Sequence, residues 1–184
     1  MKQNHTNILL AAGLILMITV ARIINAEMHL YNFVPIVALG LFSGAVVKEK
    51  RYAFLFAILA QLCADVYFEL FTDTKGFYGI SQIFTYVGLV AVTVLGVYMK
   101  QPKALKVFGF TIAASVVFFL ISNLGHYVQG WNGYGASAFV KTYVDAIPFF
   151  KNSLVGDMAG SVLLFGAYYL LQQAVGAKMV KSKA

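Results

Sequence analysis

Asp65, Asp157 and His126 are the residues of this chain best suited to moving a proton, and Arg22 is a cation interrupting an apolar run. Two carboxylates and an imidazole are the groups of general acid–base catalysis. No H-E-x-x-H, G-x-S-x-G or paired aspartate at a catalytic spacing accompanies them. His29, Cys63 and His126 lack the tight spacing of a metal-ligand set, and a single cysteine makes neither an internal disulfide nor a zinc cluster. A G-x-x-x-x-G-K-[ST] phosphate loop is missing too, so the chain is not expected to bind ATP. The expectation is a protein that is not an enzyme and carries no cofactor or metal.

The same residue types read better as a binding surface. The stretch Ser115–Trp131, SVVFFLISNLGHYVQGW, begins as apolar as lipid and ends in Asn123, His126, Gln129 and Trp131. A polar group in a hydrocarbon-length segment is costly against lipid, about 2–4 kcal/mol for a charge, so it faces a protein interior or a cavity. Gln61, Asp65 and Glu69 are spaced four apart and share one helix face. Tyr78 and Gln82, then Asn152, Ser153 and Asp157, open two further segments, and Glu27, His29 and Asn32 lie in a connector.

These residues need helices to hold them. The chain has 184 residues, 60% hydrophobic and 11% charged, with mean hydropathy +0.78. A soluble domain carries roughly 25% charge, so a soluble fold is excluded. The composition predicts one all-α, polytopic membrane domain with six transmembrane helices over about 7–25, 33–47, 52–71, 80–99, 107–128 and 153–175. The 129–151 stretch is expected to be a long loop holding a short interfacial helix at 138–150. Its glycines Gly130, Gly133 and Gly135 would let it close as a lid. Gly40 and Gly44, four apart, permit close helix packing. The first apolar run resembles a signal peptide, but large Ile24 at the −3 position and Arg22 favour a retained helix.

Charge sets orientation. With six spans, ten basic residues, among them Lys48, Lys50, Arg51, Lys100, Lys103 and Lys106, fall on one side, and Arg22, Lys75, Lys141 and Lys151 on the other. The positive-inside rule then puts both termini in the cytoplasm of a bacterial inner membrane. The +7 net charge flanks apolar segments and forms no patch, which argues against nucleic acid. Six of the seven acids, all but Glu49, lie in the outer half or outer loops. A pore would need polar lining through both leaflets; one-sided polarity describes a cup open to the outside.

The residues Arg22, Asn32-Phe33-x-Pro35, Asp65, Gly76-Phe77-Tyr78, Ser122-Asn123 and Pro148-Phe149-Phe150-x-Asn152-x-x-x-Gly156-Asp157 resemble a family of small bacterial membrane proteins. That family is similar to the substrate-binding S components of energy-coupling factor (ECF) transporters. The resemblance covers nearly the whole chain. It implies a six-helix bundle that binds a vitamin or similar micronutrient from outside and is energised by an ECF module of two ATPases and a coupling membrane subunit. Family members carry an aromatic where this chain has His126, which would tune this member's ligand. Arg22, Asn32, Asp65, Tyr78, Asn123, His126, Asn152 and Asp157 are the expected substrate contacts, with Trp131 at the mouth. Two other readings stand beside this one. A non-transporting subunit or assembly factor would use the same polar residues to lock helices, with Arg22 paired to Asp65 or Asp157. A membrane-embedded enzyme would use Asp65, Asp157 and His126.

Overall fold

The computed structural model describes residues 2–28 and 33–181, with side-chain surroundings for 12–28 and 33–173. Its elements are six helices: α1 (Lys2–Glu27), α2 (Ile36–Val46), α3 (Lys50–Phe71), α4 (Ile80–Tyr98), α5 (Ala104–Val128) and α6 (Ala136–Lys181). Among the described residues, α3, α4, α5 and the 136–173 part of α6 are long and apolar enough to cross a membrane. Several apolar helices of this kind mark a membrane protein. Their exposed faces carry large apolar side chains such as Leu62, Val87, Phe108, Val116 and Leu163, as lipid contact requires.

α2 is the axis of the bundle. It packs against α3, α4, α5 and α6, while α1 lies against α3, and α4 and α5 lie against each other. Nine successive residues, Ile36 to Gly44, are buried, so α2 has no solvent- or lipid-facing stripe over that stretch. At eleven residues α2 is about 16 Å long, half a bilayer core, shorter than the expected 33–47 span. Lipid gives helices little hydrophobic reason to associate, so close packing must hold them. Small residues supply it. A Cβ on Gly44 would overlap the Thr93 carbonyl oxygen, and one on Gly96 the Leu41 carbonyl oxygen, so α2 and α4 meet backbone to backbone there. On α3, Ala53, Ala57, Ala60 and Ala64 recur at helical spacing and are all fully buried. Hydroxyls bridge the same seams. Ser43 Oγ donates to the Ala53 carbonyl at 2.8 Å, and Thr19 Oγ1 to the Ala60 carbonyl at 3.2 Å.

The expected loop and interfacial helix at 129–151 take a different form. α5 ends at Val128, and Gly130 two residues on has a φ of +78°, which suits a residue without Cβ just past a helix C-terminus. The connection to α6 is only 129–135, and α6 then runs unbroken with Pro148 inside it. Aromatic packing fastens its first turns to α5. Phe119 meets Tyr143 at 5.8 Å and Phe150 at 4.8 Å. Tyr127 meets Phe139 at 5.2 Å, and the Tyr143 hydroxyl donates to the Leu120 carbonyl at 2.9 Å. The 136–150 segment is therefore a wall, and only seven residues remain for a lid.

Candidate functional site

The polar ends of the helices enclose a cavity of 780 Å³ at one end of the bundle. α1 contributes Arg22 and Asn25, α3 contributes Gln61 and Phe68, and the α3–α4 connection contributes Lys75 and Tyr78. α5 supplies Ser115, Phe118, Phe119, Ser122, Asn123 and His126. α6 supplies Asp145, Phe149, Phe150, Ser153 and Asp157. Trp131 and Asn132 come from the α5–α6 connection. A volume of this size suits a vitamin-sized molecule.

Asp65 does not line the cavity. It sits behind the cavity wall with no exposure, and four side chains donate to its carboxylate. Arg22 Nη1 lies 2.8 Å from Oδ1. Gln61 Nε2 lies 3.1 Å from Oδ1, and Gln82 Nε2 and the Tyr86 hydroxyl lie 2.8 and 2.9 Å from Oδ2. The carboxylate thus ties α1, α3 and α4 together. Arg22 Nη1 also donates to the Gln61 carbonyl at 3.1 Å, and the guanidinium stacks over Phe68 at 5.5 Å. The ion pair fixes Arg22 at the cavity surface in a set pose. Gly76 closes the back of this cluster, since a Cβ there would overlap the Asp65 carbonyl oxygen. Glu69 Oε2 accepts the Gly76 and Phe77 N–H groups at 3.0 and 3.2 Å, fixing the connection that presents Tyr78.

Asp157 lies on the cavity floor, 1% exposed. Its Oδ2 accepts the Ser115 hydroxyl at 2.9 Å, and its Oδ1 accepts the Ala38 N–H at 3.4 Å. The second contact is a helix cap supplied by another helix. The residue before α2 is Pro35, which gives no side-chain cap, and a carboxylate at a helix N-terminus satisfies both orphan N–H groups and the helix dipole. α4 is capped in the same way: Gln129 Oε1 accepts the Ser81 N–H at 2.8 Å.

The upper wall is less committed. Asn123 donates Nδ2 to the Phe119 carbonyl of its own helix at 2.8 Å. His126 stacks on Trp131 with ring centroids 4.5 Å apart, and its buried Nδ1 has no hydrogen-bond partner. The Tyr78 hydroxyl meets Thr85 Oγ1 at 3.3 Å. Burial pushes the Tyr78 phenol up, so it stays protonated and able to donate.

Of the eight residues expected to contact a substrate, Arg22, Tyr78, Asn123, His126 and Asp157 line one cavity. Asp65 supports Arg22 from behind. Asn152 is exposed and outside the cavity lining, and Asn32 lies outside the described residues. The four phenylalanines Phe118, Phe119, Phe149 and Phe150 and the hydroxyls of Ser115 and Thr85 were not among the expected contacts. Their signal was present as Phe-Phe pairs beside polar positions on two facing helices. Among the described residues no three His, Cys, Asp or Glu side chains gather as a metal site, and Cys63 is exposed away from the cavity.

No curated protein and no solved structure matches the chain. A family model does match, over residues 2–179. The chain therefore belongs to DUF6580, a family of unknown function.

Proposed function

We propose that this protein captures a small micronutrient in an outward-facing cup and serves its uptake across a bacterial inner membrane. The observation that carries the reading is the 780 Å³ cavity, lined at one end of an apolar bundle by aromatic and hydrogen-bonding side chains from several helices. The basic residues support the orientation: Lys48, Lys50, Arg51, Lys100, Lys103 and Lys106 sit at the helix ends away from the cavity, as cytoplasmic turns do. In this reading α1 and α2 complete six spans, α2 descending from the cavity floor. Arg22, Tyr78, Asn123 and His126 contact the ligand, Trp131 covers the mouth, and Asp65 holds Arg22 in place. The protein is a binding component, not an enzyme. The small membrane-protein family that its Asn-Phe-x-Pro and Pro-Phe-Phe-x-Asn elements resemble is in turn similar to S components, which supports an ECF module as energy source for a chain with no phosphate loop of its own.

A second reading is supported by the saturation of Asp65 with intramolecular donors and by the use of Asp157 to cap α2. In it, the protein is a membrane subunit or assembly factor whose polar groups only join helices. A thermal-shift screen of the purified protein against vitamins and cofactors separates the two. The uptake reading expects stabilisation by one chemical class, lost in Asn123→Ala; the subunit reading expects no compound to stabilise.

A further inference from the structure

α5 runs toward the mouth of the cavity and α6 away from it, so each samples the cavity by depth. Both give the same order. Ser115 and Asp157 meet at 2.9 Å on the floor. Phe118, Phe119, Phe149 and Phe150 line the cavity above them, with Phe119 and Phe150 at 4.8 Å. Asn123 and His126 face Asp145 nearer the mouth. Ser115 is about 20 Å below Val128, the last residue of α5, so the cavity is a deep slot with a polar mouth, an aromatic waist and a polar floor.

The charges on this slot are paired with one exception in its depth. Arg22 is neutralised by Asp65 at 2.8 Å, and Asp145 by Lys141 at 2.7 Å. Lys75 belongs to the exposed connection at the mouth. Among the described residues no lysine, arginine or histidine lies within ion-pair distance of Asp157. What faces it is the Ser115 hydroxyl from α5 and the N-terminal turn of α2. Neither is a counter-ion, and each of its oxygens keeps acceptor capacity. A buried carboxylate is stabilised when a cation joins it. Four phenylalanine rings line the cavity between its mouth and Asp157, and ring faces attract organic cations.

We propose that the slot selects an organic cation, a ligand whose positively charged nitrogen or ring passes the phenylalanine waist and pairs with Asp157. This deepens the uptake reading and rests on it. The paired Arg22 contributes hydrogen bonds to the neutral or polar end of the ligand, not a net charge.

The test uses three probes with the same ring and different charge: 1-methylnicotinamide, nicotinamide and nicotinate, at millimolar concentration, read by thermal shift and ligand-observed NMR on the full-length protein. The cation is expected to bind about tenfold tighter than the neutral amide, and the anion weakest. Asp157→Asn keeps a carbonyl oxygen to cap α2 and removes the charge; it is expected to abolish the preference for the cation. Equal binding of the three probes, preference for the anion, or no binding of any would overturn the proposal. These wild-type results stand even where the variant fails to fold. A neutral or anionic metabolite found bound by native mass spectrometry would overturn the cation assignment and leave the uptake reading intact.

Discussion

Asp65 and Asp157 are both buried intramembrane carboxylates, and their neighbours give them different work. Asp65 is enclosed by four donors and holds three helices, so its loss should unfold rather than empty the site. Asp65→Ala strands Arg22 without its counter-ion, which costs about 3–5 kcal/mol for a buried pair. Its melting temperature in detergent should fall sharply; an unchanged value would mean that the pair is not structural. Asn123 is the converse. Its side-chain amide donates to a carbonyl of its own helix, so Asn123→Ala should leave the melting temperature alone. It should weaken ligand binding about tenfold, the equivalent of one hydrogen bond. Titration of both variants with the same ligand checks the contrast. The possibility of an Arg22–Asp65 pair was legible in the sequence, because both residues stand where only a partner makes burial tolerable. The saturation of Asp65 by Gln82 and Tyr86 was not, since it depends on the register of α4 against α3. Nor was the role of Asp157 as a cap for α2, which joins residues 119 apart in sequence.

At the scale of elements, α3, α4 and α5 lie within three residues of the expected apolar runs at both ends, because hydrocarbon length and flanking charge define them. The 129–151 stretch did not follow. The glycines predict a long loop, yet all three fall in 129–135, and the expected 138–150 helix continues through Pro148 as part of α6. The proline removes one donor, a cost met where the helix is packed on both sides of it by Tyr143 and Phe150 against Phe119. The shorter α2 has its own cause: Pro35 precedes its first turn, and Val47 is already extended. The α2–α4 contact is the element whose disruption is easiest to read. Gly44→Val would push a side chain into the Thr93 carbonyl, costing about 2 kcal/mol or more. Gly13→Val, with open space around it, should cost little. Denaturant or thermal unfolding of the two variants side by side measures the difference, and equal stabilities would contradict a backbone-to-backbone contact at Gly44.

For the whole molecule, the account makes a statement about sidedness. The cavity mouth carries Lys75, and the opposite ends of the helices carry Lys103. Single cysteines at these two positions, in a Cys63→Ala background, should react differently with a membrane-impermeant maleimide in intact cells. Lys75→Cys is expected to label and Lys103→Cys to label only after lysis; the reverse pattern would invert the orientation and turn the cup toward the cytoplasm. One-sided polarity was legible from the positions of the acids alone. The aromatic waist of the cavity was not, because Phe-Phe pairs in apolar runs look like lipid-facing residues until two helices set them opposite each other. The central claim is that this cavity holds a small molecule. Native mass spectrometry of the protein purified gently from its own membranes, and again after incubation with a metabolite extract of the same cells, tests it most directly. The account predicts one defined added mass that Asn123→Ala diminishes. A clean apo mass under both conditions would contradict it and leave a bundle whose polar residues serve only to join its helices.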